Sequence, residues 1–263
     1  MSTEFEIGNS TTDQTPRWEF KIEGTEADEA KLHKLLEANR DRFSTGVTET
    51  PAKVTPFAFN VDDEGWNAEK ANKARARLKS AAKNAAIDKF INQAIADNVI
   101  APSDASAWSQ VLLTPKPNGS WRFCLDYRTL NKYTRSTGWP IPNIQDVLAN
   151  IGSHSPKFFA VMDCTSGYHQ IPIEEQCQKY TTFTTHRGNY KWKRAPMRPK
   201  NISSMYQKLM ATEIFPGQIH KILEVYLDDI ITWSKTIDEL IKNLQNHLRS
   251  SEEIQYHFKP IEV

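Results

Sequence analysis

Two β-prone runs meet at a pair of acids: Ile222-Leu-Glu-Val-Tyr-Leu227 precedes Asp228-Asp229, and Ile230-Ile-Thr-Trp233 follows. Acids are depleted in strands, and adjacent carboxylates repel unless a cation offsets them. A tight hairpin turn is one explanation, because Asp bonds its own backbone there. A divalent-metal site at the hairpin apex is the other, since hard carboxylate oxygens suit magnesium. A second apolar run, Phe158-Phe-Ala-Val-Met162, ends in Asp163. If the two strand ends lie side by side in one sheet, three carboxylates gather, able to hold two metals about 4 Å apart as phosphoryl transfer requires. Polymerases and nucleases both use that arrangement, and spacing alone does not separate them.

Around this centre, strands and helices alternate irregularly, with hairpins in place of repeated βα units. That pattern predicts an α+β fold and not a doubly wound sheet. Val111-Leu-Leu-Thr and Trp121-Arg-Phe-Cys-Leu125 flank the turn signal Pro117-Asn-Gly-Ser and read as a hairpin. Tyr180-Thr-Thr-Phe-Thr-Thr185 and Tyr190-Lys-Trp-Lys193 read as a second one. Helical spacing predicts helices over Asp28–Phe43, Asn201–Ile214 and Thr236–Glu252. A long Ala, Lys and Arg segment, Asn67 to Asp97, has helix propensity throughout. Its Lys70, Lys73, Arg75, Arg77, Lys79, Lys83 and Lys89 read as a solvated face or as a surface for phosphates.

The 39% hydrophobic content is adequate for a core over 263 residues. With 33 basic and 32 acidic residues the net charge is +1, so a polyanion would be met by local clusters and not by the whole molecule. Cys124, Cys164 and Cys177 have neither the spacing of a zinc site nor the even number of a disulfide framework, which implies a reducing compartment. No apolar run approaches the roughly 18 residues of a membrane span, and no export signal is visible. The expected location is the cytoplasm, with the nucleus and virus-like particles as alternatives.

Four collinear segments go further. They are Asn98-Val-Ile-Ala-Pro-Ser103, the stretch Asn118-Gly-Ser-Trp-Arg-Phe-Cys-Leu-Asp-Tyr-Arg-Thr-Leu-Asn131, the stretch Met162-Asp-Cys-Thr-Ser-Gly-Tyr-His-Gln-Ile171, and Tyr226-Leu-Asp-Asp-Ile230. Through them the chain resembles the reverse transcriptases of gypsy-type LTR retrotransposons, in order from Ala30 to Pro260. The resemblance implies a polymerase right-hand fold, fingers and palm only, the palm having an antiparallel sheet and packed helices. It implies an RNA-directed DNA polymerase that adds deoxynucleotides to a primer 3′ end. Asp163, Asp228 and Asp229 would be the catalytic metal ligands for two Mg2+ ions, with Mn2+ as a substitute. Lys116 and Arg122 would grip the triphosphate, and Tyr168 would pack under the sugar and exclude a 2′-hydroxyl. Arg128 and Asn131 would support the fingers, while His169 and Gln170 have weaker claims. The implied partners are an RNA or DNA template with its primer, deoxynucleoside triphosphates and the rest of a Pol polyprotein, with no membrane.

The implied division is a disordered segment 1–27, a helix and linker 28–66, and fingers and palm 67–263. Two departures from the family pattern suggest the other reading, a catalytically inactive remnant with residual nucleic-acid binding. Ala195-Pro-Met-Arg-Pro-Lys-Asn-Ile-Ser203 places Arg198 where the family carries glycine, followed by Pro199. Tyr256-His-Phe-Lys-Pro260 resembles the stretch just before the primer-holding hairpin, so the primer grip and thumb are expected to be missing.

Overall fold

The structure, a computed structural model, describes residues 22–117 and 119–259. Most of the segment expected to be disordered, residues 1–21, lies outside the described residues. Helix α1 (Glu26–Ala38) opens where the Thr25 side chain accepts the Asp28 N–H, with three acids in its first turn. It buries Leu32, Leu35 and Leu36, and it stops five residues short of the predicted end. A short 3-10 turn, Arg40–Arg42, takes up most of the difference.

The long helix expected from Asn67 to Asp97 is not continuous. Helix α2 (Asp63–Ala68) is followed by a 3-10 turn at Lys70–Lys73, and helix α3 (Ala81–Ala96) begins only after the Ser80 cap. Residues 74–80 have no helical structure. Tertiary hydrogen bonds outcompete local propensity here. The Trp108 indole N–H and the Gln110 amide both donate to the Ala74 carbonyl, and the Gln110 side-chain oxygen accepts the Arg77 N–H at 3.2 Å. Asn72 is buried, with its amide on the Trp66 carbonyl and its own carbonyl accepting the Trp108 N–H. The basic residues therefore divide between the 3-10 turn (Lys70 and Lys73), the extended segment (Arg75, Arg77 and Lys79) and α3 (Lys83 and Lys89).

Strands β1 (Ile100–Pro102), β2 (Ser109–Pro115) and β3 (Trp121–Asp126) come next, and β2 and β3 form the first predicted hairpin. Two helices that the sequence reading did not assign follow, α4 (Arg128–Tyr133) and α5 (Ile144–Ser153). Then come β4 (Phe158–Asp163), the second hairpin β5 (Phe183–Thr185) and β6 (Gly188–Trp192), and α6 (Ile202–Leu209), which runs into a π-helical turn at Met210–Ile214. Strands β7 (Leu223–Tyr226) and β8 (Asp229–Ser234) and helix α7 (Ile237–Glu253) complete the order.

Two sheets result. One has five strands in the order β1-β6-β5-β2-β3, with only β2 and β5 parallel. The other is antiparallel, in the order β4-β8-β7. Period-two alternation sorts β4: Ala160 and Met162 are buried, whereas Phe159 and Val161 are exposed on the opposite face, the one to which Asp163 belongs. Helix α7 packs on β4 and β8 and buries Leu240, Leu244 and Leu248, one turn apart. Helix α5 covers the far end of the other face, where Val147 and Ile151 meet Trp233. Among the described residues, no helix is long and apolar enough to cross a membrane.

Removing the Gln110 amide leaves the segment 74–80 without its main tether. Gln110→Ala should lower stability by about 1–3 kcal/mol in urea denaturation, the range for breaking buried hydrogen bonds. It should also speed tryptic cleavage after Arg75, Arg77 and Lys79; an unchanged digestion rate would contradict this account of the broken helix.

Candidate active site

Asp163, the last residue of β4, lies directly opposite Asp229, the first of β8. Asp229 also pairs with Tyr226, so Leu227 and Asp228 form a two-residue turn. The hairpin turn is thus realised, and its register brings Asp229 opposite Asp163. Leu227 takes φ +56°, a left-handed conformation that costs a residue with a Cβ about 1–2 kcal/mol. Gln207 of α6 holds it there. Its side-chain oxygen accepts the Leu227 N–H at 3.1 Å and its amide donates to the Val225 carbonyl at 2.9 Å. The sequence reading missed Gln207, whose one signal is a polar side chain between the apolar Tyr206 and Leu209.

Behind the acids lies a buried pocket of Cys164, Tyr206 and Tyr256, in which the two phenols hydrogen-bond to each other. Burial first, then the negative charges of Asp228 and Asp163, push the Cys164 thiol up to about 12. Gly167 seals the pocket: a Cβ there would sit 2.5 Å from the Tyr206 hydroxyl and 2.9 Å from the Cys164 Cβ. Tyr168, next along the 3-10 turn Gly167–Gln170, lays its ring 4.6 Å from that of Tyr206. Burial, and secondarily the charge on Asp228, pushes its phenol up to about 12.

Asp163 has unlike oxygens. Oδ2 accepts from the Lys259 ammonium at 2.6 Å, while Oδ1 is buried and has no hydrogen-bond partner among the described residues. A carboxylate oxygen buried in that way is costly unless a cation or donor meets it. Hard carboxylate donors with one such oxygen fit a divalent cation in kind. They are not yet a closed cage, since among the described residues no three His, Cys, Asp or Glu side chains converge on one metal position. Lys259 was also missed, and its approach to Asp163 has no signature in the sequence.

Lys116 and Arg122 lie on the β2–β3 hairpin of the five-stranded sheet, apart from the sheet that gathers the aspartates. The Lys116 backbone closes the hairpin, donating to the Ser120 carbonyl and accepting from Gly119. Arg122 sits opposite Thr114 on the returning strand. Asn131 of α4 clasps the loop before α6, donating to the Arg198 carbonyl and accepting the Lys200 N–H. Arg198 itself is exposed and takes φ +83°. The backbone there demands the conformation that glycine adopts freely, and an arginine bears it. Arg128 spends its guanidinium on Asp126, at 2.8 and 2.7 Å. Gln170 is a buried brace between the Thr165 and His257 carbonyls.

His169 is packed, not poised. It stacks on Trp192 with ring centres 5.1 Å apart, and its Nδ1–H donates to the Ala195 carbonyl. Burial holds it down to about 4, and burial alone holds His247 down to about 3. Both are neutral when folded, so below pH 6.5 the unfolded chain binds more protons than the folded one and stability falls with pH. Denaturant midpoints measured stepwise should decline between pH 6.5 and 4, and His169→Asn should flatten the slope. Separately, Gln207→Leu should cost about 1–3 kcal/mol in the same assay by stripping both backbone partners. An unaffected midpoint would mean that the Leu227 turn holds itself.

The chain matches the family model described as Reverse transcriptase (RNA-dependent DNA polymerase) over residues 114–260. It is 36% identical over 169 residues to the retrovirus-related Pol polyprotein from transposon opus of Drosophila melanogaster, covering 62% of this chain and 17% of that protein. To the corresponding polyprotein from transposon gypsy, also of Drosophila melanogaster, it is 31% identical, covering 62% of this chain and 16% of the other. It therefore spans about a sixth of the length of these relatives. Prototype foamy virus protease-reverse transcriptase superposes with a TM-score of 0.76 at 20% identity, covering 91% of this chain and 31% of that one. The foamy viral enzyme solved in complex with an RNA/DNA hybrid superposes with a TM-score of 0.74 at 20% identity, covering 92% of this chain and 32% of that one. Those superpositions agree with the expected fingers-and-palm fold. Because the family match takes in more than half of the chain, including every strand that carries an aspartate, the chain belongs to the reverse transcriptase family.

Proposed function

We propose that this chain is the fingers and palm of an RNA-directed DNA polymerase, and that Asp163, Asp228 and Asp229 are its catalytic carboxylates. The observation that carries the reading is the register that sets Asp163 opposite Asp229 with Asp228 in the adjoining turn. Two magnesium ions on these acids, or manganese in their place, would activate the primer 3′-hydroxyl and neutralise the departing pyrophosphate. The remaining tasks fall to the chain's own groups. Gln207 holds the acidic turn in its left-handed form. The Tyr168 ring, backed by Tyr206, is the wall against which a ribose 2′-hydroxyl would collide. Lys116 acts as a point charge and Arg122 as a bidentate fork for the triphosphate of a deoxynucleotide. The partners are a primed RNA or DNA template and the longer Pol polyprotein.

A second reading, a nucleic-acid-binding scaffold without turnover, is favoured by Arg198. A long charged side chain occupies a left-handed position beside the helix that carries Gln207, and Pro199 restricts it further. Primer extension on an RNA template with magnesium separates the two. The chain should extend, and Asp228→Asn should reduce extension by at least about 100-fold, as loss of a metal-binding catalytic group does. Arg198→Gly should increase extension and stabilise the fold by about 1 kcal/mol, from relief of the left-handed strain. Absence of extension in both the parent chain and Arg198→Gly would favour the scaffold.

A further inference from the structure

Lys259 is held against the acids by more than its side chain. Its backbone N–H donates to the Asp163 carbonyl at 2.8 Å. The preceding Phe258 bridges to both Phe43 and Cys164, is fully buried, and exchanges backbone hydrogen bonds with Arg42 and Ser44. Its ring also packs on Tyr256 and Phe215. The Cα of Lys259 is therefore anchored beside the end of β4, while its side chain is 42% exposed. Its ammonium meets Asp163 Oδ2 at 2.6 Å, on one of the carboxylates read above as metal ligands.

We propose that Lys259 is a built-in counter-ion of the metal site, which neutralises Asp163 when no divalent ion is bound and must leave Oδ2 before one binds there. The inference rests on the reading of Asp163 as a ligand. One ammonium replaces part of the charge that a metal would supply, which explains why adjacent acids coexist at two strand ends without a cage around a cation. The anchored backbone keeps the ammonium at hand, and the exposed side chain gives way by rotation alone. Lys259 thus sets how tightly the site takes up its metal.

Manganese(II) chloride, with no nucleotide or nucleic acid, is the probe, and the loss of the free-ion signal in electron paramagnetic resonance measures its binding. Lys259→Met should bind manganese about two- to fivefold more tightly than the parent, the size expected from losing a partly exposed ion pair. Lys259→Arg should bind like the parent, and the gap between Met and Lys should narrow as potassium chloride is raised. Lys259→Gln provides a second neutral variant should Met disturb folding, which circular dichroism reports. Equal or weaker binding by both neutral variants overturns the proposal. Asp163→Asn and Asp228→Asn distinguish the two levels. If both bind manganese as well as the parent, the acids are not the metal site, and the proposed function and this inference fail together. If they bind weakly while the neutral Lys259 variants match the parent, the inference alone fails.

Discussion

The antiparallel pairing of β4 with β8 is the constraint on which the rest of the molecule depends. Six residue pairs run from Phe158 opposite Ser234 to Asp163 opposite Asp229, and strand alternation makes the register all or nothing. In this register Ala160, Met162 and Ile230 face the core against α7, and both terminal acids belong to the less covered face. A slip of one residue would bury carboxylates and expose the core side chains. Apolar packing beneath the sheet thus fixes the positions of charged groups above it.

A second theme is backbone strain borne by side-chain amides. Leu227 and Arg198 both adopt left-handed conformations without being glycine. Gln207 clasps one and Asn131 the other, each using its amide oxygen and nitrogen on two backbone groups of the loop it supports. A turn held in this way is costly to form but does not wander. The same economy applies behind the acids, where Gly167 is the one residue small enough to let the Tyr206 and Tyr256 hydroxyls approach. At the acidic turn itself the left-handed Leu227 is held by its surroundings and not by its own preference.

Several elements were legible beforehand because their signals are local. Both hairpins, β4 and α7 emerged from alternation, turn residues and helical spacing, each of which a strand or helix imposes on its own sequence. The broken basic segment was not legible. Its Ala, Lys and Arg residues favour helix throughout, yet Trp108 and Gln110, more than thirty positions away, bond the Ala74 carbonyl and hold residues 74–80 open. Helices α4 and α5 also escaped notice. At six and ten residues they are short enough that packing, not propensity, decides them.

The sequence by itself determined which residues could carry charge chemistry, the alternation that makes α+β, and membership of a family through four collinear segments. It singled out Asp163, Asp228 and Asp229 because acids at the ends of apolar strands need a reason. Only the tertiary structure decided that Asp163 and Asp229 are paired, that Gln207 and not the turn's own residues holds Leu227, and that Lys259 comes to rest on Asp163. The physical reason is separation along the chain: Asp163 lies 96 residues from Lys259, and Gln207 lies 20 from Leu227. No local pattern records a contact whose partners are brought together by the packing of a sheet between them.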